Sequence, residues 1–466
     1  MSSIAIVGAG AAGTMAAYRL RRDLPGADVT VFDREPTAGG RTRRIEFAGA
    51  PVEVGATVLP AASPHLKALL DLTRTKPAKS VPATDAKHES VGFWDGAAFA
   101  VTAKASPGLV NAGFVRHYGP TSGLRTVAAL RQTASRWAKI YGLQKAGRLF
   151  LTPAALLDAL GLADLTGMSF RHAMGRAGVK GGFVDEILAA ITRHLYTQDA
   201  RLNAFAGELG LAAAGLAGAT PVALEGGNGT LFAQALAALG VELVAETRVT
   251  RIEAADPAYR PPAPAPPRRR GAREEAVAVP PPSGRIAVVT KDGERRDFDA
   301  VVLAAPLETA DLKVSAARRL VRTPPRQFQE VHVTLVAGTP SAGYFGLAPG
   351  QAMPAHVFAA SSPRTPFWSL GVAGRSPEFG CPIWKLLTAS RPLSDASLRR
   401  LFDERHAVTR FVWKGAYPVL DPGTEGAPFV LAPGVYYANG LEAAASTAEV
   451  ATVAGYNVAG LVARQL

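Results

Sequence analysis

Cysteine is nearly absent from this chain: Cys381 stands alone among 466 residues. That excludes an intramolecular disulfide and any cysteine-rich metal centre. Histidine is scarce too, and the eight present form no H-x-x-x-H or similar ligand pair, so no metal site is expected. No uninterrupted apolar run approaches the ~18 residues of a membrane span. The first strand-like run begins at Ile4, which leaves no room for a signal peptide, so the sequence as it stands reads as cytoplasmic. Aromatic residues do not interleave with basic ones, as single-stranded nucleic acid would require. The formal charge of +13 therefore reads as a solvated basic surface, with no nucleic-acid partner; peripheral contact with an anionic membrane is compatible with it.

What the chain does have is apolar content, at 48%, and length enough for two domains with full cores. Its opening is the most informative stretch. Ile4-Ala5-Ile6-Val7 reads as a strand, Gly8-Ala9-Gly10-Ala11-Ala12-Gly13 as a tight turn, and Thr14–Arg22 as a helix. Val29-Thr30-Val31-Phe32 then forms a second strand ending at Asp33. In such a unit Gly8 shapes the turn, Gly10 admits a pyrophosphate close to the backbone, and Gly13 allows tight helix–strand packing. The helix N-terminus, at Ala11 and Ala12, offers N–H groups to the anion. Asp33 is placed to accept hydrogen bonds from ribose hydroxyls. The pattern predicts a dinucleotide-binding domain.

After the acid comes Arg34-Glu35-Pro36-Thr37-Ala38-Gly39-Gly40-Arg41-Thr42. Gly39 and Gly40 permit a backbone close to phosphate, and Arg41 presents a fork of donors to phosphate oxygens. This run resembles the acid-x(5)-Gly-Gly-Arg-Thr element of the flavin-dependent amine oxidase superfamily, which implies FAD rather than NAD. Asp299–Pro306 resembles a strand and small-residue turn of that superfamily. Glu246–Ile252 resembles its strand beside the adenine, where Val249 would present backbone groups.

The cofactor pieces fall at roughly 1–70, 220–310 and 425–466. The fold class expected is α/β, a discontinuous Rossmann-like FAD-binding domain with an interleaved α+β substrate domain at 71–219 and 311–424. Helical patterns run through Leu124-Val127-Leu130, Trp137-Ile140-Leu143 and Leu156-Leu157-Leu160. Arg326–Gly338 alternates as a strand with Val331, Val333 and Leu335 on one face. Asp256–Gly284, rich in proline and arginine, reads as a disordered hairpin insertion, with a docking peptide as the alternative.

A wider set of segments is similar to the prenylcysteine oxidase (prenylcysteine lyase) family. It includes Val52–Val58, Val91–Gly96, Tyr118-Gly119-Pro120, Thr192–Gln198, Leu202–Gly207 and Glu225–Asn228. Val333–Gly338, Ala416-Tyr417-Pro418 and Tyr436–Glu449 complete it, and the Arg-x-x-Tyr-x-Gln and Tyr-Tyr-x-Asn-x-x-Glu stretches are the more specific parts. The resemblance implies non-covalent FAD and oxidative cleavage of a farnesyl- or geranylgeranyl-cysteine thioether, with molecular oxygen as acceptor. It further implies that Gly55-Ala56-Thr57 runs along the isoalloxazine, that Asn439 and Glu442 lie by the ribityl or phosphate portion, and that Ser446 and Thr447 open a last helix aimed at the flavin. His194, Tyr196, Phe205 and His332 are candidates for a pocket holding a lipophilic small molecule. No catalytic base stands out; His194, Tyr196, His332 and Lys385 are the groups to consider. The chain departs from the family at Leu59-Pro60-Ala61, where relatives resemble Ile-His-Pro, and at His194-Leu195, where they tend to Val-Asn. The alternatives are an amine oxidase or polyene desaturase acting on another lipophilic substrate, or a non-catalytic flavoprotein that docks through its insertion. An aromatic pair and a lysine over the flavin would favour the amine reading.

Overall fold

The computed structural model describes all residues except 61–62, 79–89, 105–111, 219–220, 257–283, 317–324, 349, 363 and 390. Most of the Asp256–Gly284 insertion thus lies outside the described residues.

The opening segment folds as strand β1 (Ser3–Val7), helix α1 (Ala11–Asp23) and strand β2 (Asp28–Phe32). The helix begins at the glycine turn, three residues earlier than the apolar pattern alone suggests. Strand β1 is almost wholly buried because both faces of the parallel sheet are covered: Ile4 and Ile6 pack with Ala12 and Ala16 of α1, while Ala5 and Val7 pack with Val249, Ile286 and Val288 of a second sheet, so its residues need no polar alternation. It lies inside a six-stranded sheet ordered Val430–Ala432, Val435–Tyr437, Ala300–Leu303, β1, β2, Glu242–Val244. All neighbours are parallel except the edge strand Val430–Ala432. One sheet therefore draws on three distant stretches of chain. Beside it stands a four-stranded sheet ordered Arg295–Phe298, Ile286–Thr290, Val249–Ala254, Lys313–Val314.

A seven-stranded sheet makes the second layer: Phe402–Pro418, Phe328–Pro340, Pro382–Ala389, Ser369–Arg375, His356–Ala359, Ser90–Trp94, Phe99–Lys104. Its long strand Phe328–Pro340 spans most of the run expected at Arg326–Gly338. Alternation splits that strand cleanly. Val331, Val333, Leu335 and Ala337 pack with Phe47, Val52 and Val54, whereas Val336 joins Trp94, Phe345 and Trp384 on the other face. Helices Pro120–Lys145, Ala189–Tyr196 and Ala204–Leu211 cap the first face. Trp137 and Phe205 meet in their core, with ring centroids 5.5 Å apart. Of the predicted helical triad at 124–130, Leu130 is buried, but Leu124 is 57% exposed on the outer side.

Candidate functional site

The glycine turn after β1 is uncapped: Gly10 occupies the N-cap of α1 and no side chain accepts from the first turn. Its free N–H groups, at the positive end of the helix dipole, suit an anion. Gly40 lies directly against this turn. A Cβ on Gly40 would stand 3.2 Å from Gly10 Cα, and Gly40 has φ +59, so both steric room and backbone conformation require glycine. A Cβ on Gly13 would stand 1.9 Å from Gly8 O, which fixes how closely α1 can follow the turn. Asp33 ends β2 and ties the pieces together. Its Oδ2 accepts from Ala9 N at 2.7 Å and its Oδ1 from Glu35 N at 2.9 Å. Burial raises its pKa, against the pull of these two backbone donors. Each oxygen keeps a lone pair for a hydroxyl donor. Thr247 N donates to Asp33 O at 2.8 Å, bringing Val249 and its strand alongside. Arg34 turns to the surface, where it donates to Thr309 O at 3.1 Å.

Arg41 meets Glu442 at 2.5 Å and donates to Ala416 O at 2.8 Å. Glu442 also accepts from Ser446 Oγ at 2.8 Å, faces Asn439 Nδ2 at 3.4 Å and lies 3.7 Å from Arg326. Burial opposes its charge, yet Arg41 and Arg326 hold its carboxyl below the ordinary range. Arg326 itself is clamped by Glu308 at 2.7 Å, Tyr437 OH at 2.9 Å and Asn439 O at 3.0 Å. The structure therefore joins Arg41, Glu442 and Ser446, drawn from opposite ends of the chain, into one ionic cluster. Thr447 acts outside this cluster. Its hydroxyl accepts from Val450 N and caps the final helix, Ala448–Gln465.

Gly55-Ala56-Thr57 is held as a rigid ledge. Lys385 Nζ donates to Glu53 O and Gly55 O, each at 3.0 Å, and to Thr57 Oγ1 at 3.2 Å. Trp413 Nε1 donates to Val54 O at 2.9 Å, and Asn228 Nδ2 to Ala56 O at 2.9 Å. Burial pushes the Lys385 pKa down to about 8, partly offset by Glu53.

Strand register decides which pocket candidates share this ledge. Lys385 pairs with Leu335 and Gly371, and Gly371 pairs with His356. Two residues on, Leu387, Ser369 and Phe358 align on the same face. His194 reaches that face from the end of helix Ala189–Tyr196, its Nδ1 2.9 Å from Ser369 Oγ and its ring against Phe358. Burial, with His356 and Lys385 nearby, lowers its pKa to about 3, so it is neutral. His194, His356, Lys385 and Tyr417 are each only partly buried, so this part of the sheet beside the ledge keeps accessible surface.

The other candidates fall elsewhere. His332 pairs with Thr388 and Val412, so it points to the opposite face of the sheet, its Nε2 2.8 Å from Glu330. Phe205 is enclosed in the helical core against Trp137. Tyr196 is packed on helix Ala204–Leu211, buried, and its ring meets Tyr417 edge-on.

This architecture coincides with known proteins. Residues 109–466 match the family described as prenylcysteine lyase, and residues 6–72 match the NAD(P)-binding Rossmann-like domain. The chain belongs to the prenylcysteine lyase family. It is 28% identical to a farnesylcysteine lyase of Arabidopsis thaliana, across 99% of this chain and 88% of that one. It is 28% identical to prenylcysteine oxidase 1 of Homo sapiens, across 98% and 88%. A putrescine oxidase double mutant superposes with a TM-score of 0.63 at 18% identity, covering 99% of both chains. Cyclohexylamine oxidase from Brevibacterium oxydans gives 0.64 at 15% identity, over 100% and 99%. The prenylcysteine lyase chain thus has the amine oxidase fold, and family and fold together make it an FAD-dependent oxidoreductase. The uncapped turn, the Gly10–Gly40 contact and the spare lone pairs of Asp33 fit that cofactor.

Proposed function

We propose that this enzyme cleaves the thioether of a prenylcysteine-type substrate, with FAD bound non-covalently. The carrying observation is the partly accessible sheet face that bears His194, His356 and Lys385. On one side it meets the Gly55–Thr57 ledge, and on the other the apolar stretch that continues from Phe358 to Phe93, whose rings lie 5.4 Å apart. Such a face accepts a reactive polar centre and a long apolar tail together. In this reading residues 1–70, 220–310 and 425–466 hold the cofactor and the remainder holds the substrate. Asp33 takes the adenosine ribose, Gly8, Gly10, Ala11, Ala12, Gly13 and Gly40 take the pyrophosphate, and the Arg41–Glu442–Ser446 cluster flanks it. Arg34, Val249, Asn439 and Thr447 support this frame rather than contact the reacting ring.

When bound, FAD accepts a hydride and passes two electrons to oxygen. The carbon between sulfur and the double bond is a good hydride donor, because both neighbours stabilise the positive charge left behind. Water then adds to that carbon, and the carbon–sulfur bond breaks as the thiol takes a proton. One thioether, one water and one oxygen thus yield aldehyde, cysteine and hydrogen peroxide. The protein's part is to hold the ring against the Lys385-fastened ledge and to exclude bulk water. His194 is neutral, and its Nε2 has no protein partner among the described residues, so it can accept a hydrogen bond that positions the incoming water. Cys381 lies at the hairpin turn between Ser369–Arg375 and Pro382–Ala389, away from the ledge, which supports non-covalent attachment.

An amine substrate is the second reading, and Lys385 at the ledge favours it. Against it, Tyr196 and Tyr417 meet at 83° and do not form a parallel pair. Incubating the aerobic holoenzyme with S-farnesylcysteine should release farnesal, cysteine and peroxide in equal amounts, and acid precipitation should free the flavin. Turnover of lipophilic amines without thioether cleavage would overturn the proposal. No described helix is long and apolar enough to cross a membrane.

A further inference from the structure

Arg193 carries a buried positive charge whose carboxylate neighbour, Asp199, acts on it without forming an ion pair. It lies in helix Ala189–Tyr196 and is 3% exposed. Among the described residues it forms no ion pair: the neighbouring Asp199 is taken by Arg201, at 3.1 Å from each oxygen. Nη2 donates to Ala359 O at 3.0 Å, while Nε is buried with no acceptor. The guanidinium lies 5.4 Å from the ring of Trp368, whose Nε1 is likewise buried and unpartnered. Two buried donors without acceptors, one of them on a cation that Asp199 and the Trp368 ring compensate only in part, are costly unless an anion completes them.

Their position relative to the Lys385-fastened ledge indicates which anion. Trp368 immediately precedes Ser369, the partner of His194. Along the paired strands Lys385, Gly371 and His356 share one level, and Leu387, Ser369 and Phe358 lie two residues further on. Ala359 and Trp368 follow one residue later, joined by the bond from Ala359 N to Trp368 O at 3.0 Å. The donors thus stand three residues along the sheet from Lys385, about 10 Å, with His194 between.

We infer that Arg193 and Trp368 anchor the carboxylate at the cysteine end of the substrate, which orients the thioether beneath the ledge and sends the prenyl tail the other way. This rests on the prenylcysteine reading above. It makes the enzyme selective for a free α-carboxylate, so peptide-linked or esterified cysteines must be hydrolysed to the acid before they can enter.

The test uses the holoenzyme and two saturated ligands, S-dodecylcysteine and S-dodecylcysteamine, which lacks the carboxyl but keeps the amine. Binding is read from the perturbation of flavin absorbance, so no turnover is needed. Wild type should bind the acid about 10- to 100-fold more tightly, the value of a charge-assisted hydrogen bond. Arg193→Met should bring the two ligands within about threefold of each other, and Arg193→Lys should restore part of the gap. Trp368→Phe, which removes one donor and little volume, should narrow the gap as well and serves if Arg193→Met fails to fold. Equal binding of the two ligands by wild type, or an undiminished preference in the variants, overturns the anchor and leaves an internal water as the donors' partner. If neither ligand binds and S-farnesylcysteine is not oxidised, the substrate reading falls, and the anchor with it.

Discussion

Replacing Lys385 by methionine should change the pH dependence of stability in a specific way. In the unfolded chain this lysine titrates near its ordinary value of 10.5; in the fold, burial pushes it down to about 8. Between those values the unfolded state binds the extra proton and the folded state does not, so stability rises with pH. The rise attributable to Lys385 is about 3 kcal/mol, from roughly 1.4 kcal/mol per pKa unit. Methionine has no proton to lose, so its variant lacks that increment. All other groups titrate alike in the two proteins and cancel in the difference. Melting temperatures compared at pH 7 and pH 10.5 should therefore show wild type gaining about 3 °C on the variant, given the unfolding entropy of a chain this long. The absolute offset at pH 7 reports something else: the loss of three hydrogen bonds to Glu53 O, Gly55 O and Thr57 Oγ1. A difference between the proteins that stays constant from pH 7 to pH 10.5 would refute this reasoning, because it would mean that Lys385 is solvated as it is in the unfolded chain.

Four other outcomes follow from the same geometry. Gly40→Val should purify without flavin, since a Cβ there meets Gly10 Cα at 3.2 Å and φ is +59; a yellow variant would contradict the cradle. Glu442→Gln should cost about 1.5–3 kcal/mol at pH 7, because it removes the charged partner of Arg41, while Arg326 keeps Glu308. The folded pKa of Glu442 lies below 4.5, so its contribution is full above pH 4.5 and fades as pH falls; urea midpoints of variant and wild type should converge in acid. Glu208 behaves in the opposite sense, its pKa raised to about 7 by burial despite the Thr133 hydroxyl, so wild-type stability falls as pH climbs from 4.5 to 7. Glu208→Gln should gain on wild type by up to about 3 kcal/mol between pH 5 and pH 8, and a gain that does not change with pH would contradict the assignment. Replacing residues 257–283 by a short Gly-Ser turn should leave turnover unchanged, and loss of activity would give the insertion a catalytic part.

The glycine turn of the candidate site was legible because its physics is local. Gly8, Gly10, Gly13 and Asp33 act within one strand–helix–strand unit, and Gly39-Gly40 follows a few residues later. The ledge was half legible. Gly55–Thr57 carried a family resemblance, but what fixes it comes from Lys385, Trp413 and Asn228, at sequence separations of 172 to 359 residues. No spacing rule links such positions. The Arg326–Glu308 clamp on Glu442 was missed for the same reason. His332 is more instructive. The alternation that puts Val331, Val333 and Leu335 on one face necessarily puts His332 on the other, and one strand alone does not say which face meets the ledge. The pairing of Leu335 with Lys385 decides that, and only the assembled sheet contains it. Phe205 shows a similar limit: an aromatic residue near a helix start fits a core as readily as a pocket, and here Trp137 claims it.

The most direct test of the central claim is anaerobic mixing of the FAD-loaded enzyme with S-farnesylcysteine in a stopped-flow cell. The oxidised-flavin absorbance should be lost in a single turnover, with one farnesal and one cysteine formed per flavin and the colour restored by oxygen. A fully loaded enzyme whose flavin stays oxidised in excess S-farnesylcysteine would contradict the claim.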